Sequence, residues 1–146
     1  MTEIFTDEYF MELALKEAQQ AFDKNEIPVG AIVVANNQII AKSHNLTELL
    51  CDVTAHAEMQ AISSAANFIG GKYLKNCTLF VTLEPCQMCA GALYWSQITK
   101  VVYGATDAKR GYNALGAHLH PKTIVKKGVL EARCSALMKT FFEKKR

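Results

Sequence analysis

Nothing in these 146 residues repeats, no stretch is of low complexity, and no run rich in Pro, Gly or Ser interrupts the chain. No domain boundary is therefore visible, and residues 1–146 are expected to form one domain, long enough to bury roughly 70% of its unfolded surface. Long apolar runs are missing too. The longest, Val29 to Ala35, is far too short to cross a bilayer. The start, Met1 to Glu8, is acidic and lacks the basic and apolar regions of a signal peptide. Cysteines are few and odd in number, five in all, which argues against a disulfide framework. A cytoplasmic protein with no membrane segment is expected, with Cys51, Cys77 and Cys134 as free thiols.

What is present is ordinary in bulk and uneven in detail. Half the residues are hydrophobic and 21% are charged, as in soluble globular proteins. The net charge of +2 hides an asymmetry. Residues 1–58 carry three lysines against ten acids, whereas residues 122–146 carry eight cations against Glu131 and Glu143. A basic end suits a phosphate backbone, and a solvated Lys-rich helix face explains it equally well.

Periodicity predicts a helix from Asp7 to about Asn25, with Phe10, Ala14, Ala18, Ala21 and Phe22 inward. Val29 to Ala35 is continuously apolar, as in a strand covered on both faces. Asn36-Asn37 suits a tight hairpin returning through Gln38 to Ala41. Thr54 is the expected N-cap of a helix to about Asn67, with Met59, Ile62 and Ala66 inward. A strand over Cys77–Leu83 precedes a helix with Pro85 in its first turn, reaching about Ser96. Further strands are expected at Lys100–Gly104 and within Thr123–Val129, and a last helix from Glu131 to about Lys144. Strands alternating with helices imply an α/β layered fold around one mixed sheet.

Chemistry concentrates in two short segments, His56-Ala57-Glu58 and Pro85-Cys86-Gln87-Met88-Cys89. His56, Cys86 and Cys89 are zinc-type ligands, and a catalytic zinc keeps three protein ligands where a structural one takes four. Glu58 then stands where a proton acceptor for water is needed. Cys86 and Cys89, three apart at a helix start, share a face, and the positive helix end favours thiolates. On one helix, His56 and Glu58 would diverge by roughly 200°, so both serve one site only at the helix start. Two other readings stay open. Cys51, five residues before His56, could close a structural site as fourth ligand, and C-x-x-C alone could be a redox pair. His44, His118 and His120 have no ligand spacing and read as surface or turn residues.

The order H-x-E…P-C-x-x-C is the zinc deaminase signature, and with it the chain resembles the cytidine deaminase superfamily. Within that superfamily it is similar to the bacterial tRNA-specific adenosine deaminases. The likeness runs through Glu26-Ile27-Pro28-Val29-Gly30-Ala31, His44-Asn45, Thr54 to Glu58, Glu84 to Ala92, Tyr103 to Lys109, and Phe141-Phe142. The resemblance implies a cytidine-deaminase-like three-layer αβα sandwich with a five-stranded mixed sheet, assembled as a homodimer with one Zn²⁺ per subunit. It makes His56, Cys86 and Cys89 the ligands and Glu58 the proton shuttle. Val29, Asn45 and the backbone of Ala57 would hold a flipped adenine, and Asp107 would meet the nucleotide near its ribose. Phe142, Lys145 and Arg146 would meet the tRNA anticodon loop. The residues themselves also allow Asn45 to cap a turn, Asp107 to form an Asx-turn, and one of Phe141 and Phe142 to be core. Deamination of wobble adenosine is the implied activity. A deaminase of a free base or nucleoside and a non-enzymatic zinc-stabilised module are its rivals. Val53, where the family usually has Pro, and Glu143 in the basic tail depart from the pattern.

Overall fold

The computed structural model describes residues 4–145. Its first helix, α1 (Asp7–Asp23), is capped by Thr6, whose Oγ1 accepts the Tyr9 N–H at 3.1 Å, with Asp7 and Glu8 complementing the dipole in the first turn. The hairpin of β1 (Gly30–Ala35) and β2 (Gln38–His44) turns at Asn36 and Asn37, both at positive φ (51° and 60°). That is the left-handed pair a two-residue hairpin needs. β2 runs three residues beyond the expected Ala41, carrying the chain to His44 and leaving Asn45 just past the strand end.

The remaining elements are α2 (Ala57–Ile69), β3 (Cys77–Leu83), α3 (Gln87–Ser96), β4 (Lys100–Ala105), β5 (Ile124–Lys127) and α4 (Glu131–Lys144). They form a five-stranded mixed sheet in the order β2-β1-β3-β4-β5, with β1 antiparallel to both neighbours and β3, β4 and β5 parallel. Successive β1 residues serve opposite faces. Ala31 and Val33 pack with Ala57, Ala61 and Ala65 of α2 and Leu93 of α3, while Ile32 and Val34 pack with Phe10, Met11 and Ala14 of α1. Both faces are covered, which is why the sequence of β1 is continuously apolar. The expected three-layer αβα architecture is the one observed. Among the described residues, no helix is long and apolar enough to cross a membrane.

Register explains where function collects. Ala31 pairs with Val81 and Leu83 with Ala105, so the start of β1 and the ends of β3 and β4 share one edge of the sheet. β2 also ends there, because His44 pairs with Gly30. Residues flanking these strand ends, Val29, Asn45, Glu84 and Thr106, line one crevice, outside the carboxyl ends of β3 and β4 where ligands bind in open α/β sheets.

Two helix starts differ from expectation. Thr54 does not cap α2: its N–H and hydroxyl both donate to Asp52 Oδ1 (2.8 and 2.7 Å), and His56, with extended backbone, is the N-cap. Pro85 precedes the N-cap of α3, which is Cys86, also extended. The inner stripe of α2 is Ala57, Ala61 and Ala65, with Ile62 and Ala66 at its margin and Met59 only half-buried, since small residues let the helix sit close to β1 and β2. His44 is no surface residue. It is buried, with Nδ1 3.0 Å from Glu17 Oε1 and Nε2 3.1 Å from Lys24 Nζ, so both ring nitrogens have partners on α1 and its C-cap.

Candidate metal centre and active site

The two N-caps face one another across the crevice. His56 Nδ1 lies 3.6 Å from Cys86 Sγ and 3.5 Å from Cys89 Sγ, and the ligand atoms of all three fall within 4.8 Å of one another. Tetrahedral zinc, with Zn–S of about 2.3 Å and Zn–N of about 2.0–2.1 Å, sets sulfur and nitrogen about 3.5 Å apart. The donor set and its spacing therefore fit a metal ion of that kind. Cys51 is not in the cluster; it is exposed, and its thiol lies 3.7 Å from the Glu48 carbonyl. All five cysteines are free.

Because His56 is the cap rather than a helical residue, it escapes the angular divergence that would separate it from Glu58 on a regular helix. Glu58, in the first turn, is only 4% exposed, and burial pushes its carboxyl up to about 7. A carboxyl so placed gains and loses a proton near neutrality. The thiols divide unequally. Cys86 is drawn down to about 4, chiefly by the hydrogen bond from the Cys89 thiol, and the same bond, with burial, drives Cys89 upward. A cation bound by both sulfurs displaces whatever thiol protons the pair carries. The hydrogen bond to Cys86 raises His56.

Supports for this geometry come from distant residues. Ser43 Oγ donates to the Ala57 carbonyl at 2.6 Å, and Gln60 Nε2 to the carbonyls of His44 and Ala55 (2.8 and 3.1 Å), fixing the start of α2 against β2. Buried Glu26 accepts the N–H groups of Glu48 and Leu49 at 3.0 and 2.8 Å, holding the loop that follows Asn45. Composition and spacing gave no sign of these roles, since all but the Gln60–Ala55 bond join residues 14 to 23 apart.

Above the cluster opens a cavity of about 680 Å³, large enough for a nucleoside. Val29, Asn45, Ala57, Asp107 and Phe142 all line it. Asn45 is buried, and its Oδ1 accepts the Thr47 N–H at a long 3.4 Å. Asp107 Oδ1 accepts the N–H groups of Lys109 and Arg110 (3.2 and 3.0 Å), so the Asx-turn is real and coexists with a place in the wall. Phe141 is core and Phe142 is 44% exposed. Lys145 does not line the cavity: its Nζ sits 5.4 Å from the Phe141 ring centre. Arg146 lies outside the described residues.

The cations that do line the cavity are Lys109, Arg110 and Lys139. Of these, Lys139 belongs to the basic block of residues 122–146, while Lys109 and Arg110 lie outside it. Two members of that block are engaged within the chain, Lys126 with Asp7 at 2.6 Å and Arg133 with Glu12.

Residues 5–105 match the family described as cytidine and deoxycytidylate deaminase zinc-binding region. The chain is 44% identical to the tRNA-specific adenosine deaminase of Bacillus subtilis (strain 168), an alignment covering 96% of this chain and 91% of that one. It is 55% identical to the enzyme of that name from Aquifex aeolicus, over 71% of this chain and 69% of the other. Among solved structures it resembles a protein studied as a tRNA:A34 deaminase in A-to-I editing at the wobble position, with a TM-score of 0.80 and 39% identity over 88% of this chain and 98% of that one. A guanine deaminase from Bacillus subtilis is more distant, with a TM-score of 0.66 and 34% identity over 76% of this chain and 68% of that one. The chain belongs to the tRNA-specific adenosine deaminases of the cytidine deaminase superfamily.

Proposed function

We propose that this chain hydrolyses adenosine to inosine at the wobble position of tRNA, using one Zn²⁺ per subunit held by His56, Cys86 and Cys89. The observation that carries the reading is a buried carboxyl, Glu58, beside a three-ligand cluster at the floor of a nucleoside-sized cavity. The relatives' names supply the substrate. Zinc, when bound, supplies a Lewis acid that brings water within reach of deprotonation near neutral pH.

The chain's own groups do the rest. Glu58 accepts a proton from the attacking water, delivers it to N1 of the purine, and carries the second proton to the departing amine. Water adds at C6 and ammonia leaves, so atoms balance as adenosine plus water giving inosine plus ammonia. Val29 and the Ala57 backbone bound the base, Asn45 offers its side-chain amide to a base edge, and Asp107 meets the nucleotide near its ribose. Phe142 presents a face on which an unstacked base can lie. An anticodon loop already displays unpaired bases, so extrusion costs little there. Nucleoside analysis of an anticodon stem-loop carrying wobble adenosine tests the reading. Inosine should appear with the chain and zinc; its absence would remove the proposal.

Lys109, Arg110 and Lys139 are assigned to phosphates of that loop, with Lys145 as an outlying contributor and Arg146 as a further contact. The double substitution Arg110→Ala, Lys139→Ala should weaken stem-loop binding and flatten its log–log salt dependence by about 0.7 for each phosphate no longer neutralised. Zinc content should not change. An unaltered slope would show that these side chains do not touch phosphate.

We also infer that residues 1–146 act as one domain, in the cytoplasm, as a homodimer. Five free cysteines support the compartment. Leu49, Phe68 and Trp95, exposed at 67%, 67% and 76%, are apolar side chains available to a contact between copies. Sedimentation of the zinc-loaded protein as a monomer at micromolar concentration would remove the dimer.

A further inference from the structure

Glu84 is a carboxylate with no part in the chemistry above, yet it is only 3% exposed and lines the same cavity. Both oxygens are committed. Oε1 accepts the Asp107 N–H at 3.0 Å and Oε2 accepts the Asn113 N–H at 3.1 Å. The two donors begin and end one loop, residues 107–113, and that loop carries Asp107, Lys109 and Arg110. Between them the backbone is pulled in further. The Tyr112 N–H donates to the Pro85 carbonyl at 2.9 Å, and Gly111 forms a lone antiparallel bridge with Cys86. Gly111 has no room to be anything else, since a Cβ there would lie 2.4 Å from Glu84 Cδ and 2.5 Å from the Asp107 carbonyl oxygen.

We propose that Glu84 is a positioning residue for substrate: its buried carboxylate staples both ends of the 107–113 loop to the segment that carries Cys86, fixing the RNA-facing wall relative to the metal ligands. The inference rests on the proposed function above for what the loop touches, and on geometry alone for the staple. A carboxylate is suited to this task because it has two acceptor oxygens and no donor, so it takes one N–H from each end of the loop. With both oxygens so occupied, Glu84 is not free to act as a second proton shuttle beside Glu58. An amide in its place keeps the shape but turns one acceptor into a donor facing an N–H, so one end of the loop is released.

The test uses the zinc-loaded full chain and its Glu84→Gln variant. The exposed pair Lys109-Arg110 makes the loop itself a tryptic site, and exposed Lys72, before Tyr73, gives a reference cut elsewhere. Cleavage after Lys109 and Arg110 relative to cleavage after Lys72 should rise about tenfold, the cost of one orphaned amide. KM for the wobble-adenosine stem-loop should rise by about the same factor, with kcat changed less than about threefold. Zinc content should stay at the wild-type level. An unchanged cleavage ratio with an unchanged KM overturns the proposal, and so does loss of zinc, which would make Glu84 a support for the ligands instead. Should Glu84→Gln fail to fold, Glu84→Asp keeps the charge but draws both acceptor oxygens back from the loop, and carries the same expectations. If the unsubstituted chain forms no inosine, the functional reading fails, while the cleavage ratio still decides the staple.

Discussion

Glu58→Ala protein should hold its full complement of zinc, keep its fold, and turn over RNA about 10²–10⁴-fold more slowly. The sign follows from burial. Glu58 stands beside the ligand cluster but outside it, so its removal takes away the proton carrier and no donor to the metal. Its carboxyl is 4% exposed and is driven up to about 7 by the loss of water around it, and an apolar replacement relieves that strain rather than adding to it. Metal content by atomic absorption, read beside single-turnover rates, checks the result. Zinc-free Glu58→Ala protein would make the carboxylate a ligand.

Cys86→Ala or Cys89→Ala should lose metal, stability and activity together. Binding of a metal to the folded state alone is folding free energy, worth about 4 kcal/mol when the free ion is a thousandfold above its dissociation constant. At 2–4 °C per kcal/mol for a chain of this size, Tm should fall by roughly 10 °C. Chelation of the unsubstituted protein should produce the same drop, and then no further drop should separate it from the variants by more than the small packing cost of the missing sulfur. A cysteine variant that retained one zinc per chain and an unshifted Tm would break the three-ligand assignment.

The contrast between these two outcomes reflects how much of the site the chain discloses locally. His56, Cys86 and Cys89 stand out because metal binding calls for such residue types at short spacings, and the fold brings their ligand atoms within 4.8 Å of one another. The sheet is legible for a similar reason: Val29 to Ala35 has no polar side chain, and a strand covered on both faces permits none. Helix starts are less so. Thr54 reads as a cap until Asp52 claims its hydroxyl, and Pro85 reads as a first-turn residue until Cys86 takes the extended cap position.

What stays hidden is set by long-range pairing. Nothing in their local sequence gives Glu26 and Glu84 a role, and hydrogen bonds across 22 to 29 residues make them buried anchors for loops. His44 is buried through partners 20 and 27 residues away. The basic end is divided for the same reason, since Lys126 and Arg133 are paired with α1 across 119 and 121 residues while Lys139 lines the cavity. The other cations lining the cavity, Lys109 and Arg110, sit in a loop outside that block.

Substrate choice is the central question, because the superfamily's zinc chemistry is shared and a guanine deaminase is among the chain's structural neighbours. The direct measurement is kcat/KM for a wobble-adenosine stem-loop beside free guanine, adenine, cytidine and adenosine, all with the same zinc-loaded preparation. Interactions with the surrounding RNA are expected to serve the chemical step, so truncating the substrate should lower kcat as well as raise KM. Inosine should form in the stem-loop, Asn45→Ala should slow it with zinc in place, and the free compounds should react poorly. Efficient turnover of guanine or another free base, with no inosine in the stem-loop, would contradict the assignment of tRNA as substrate.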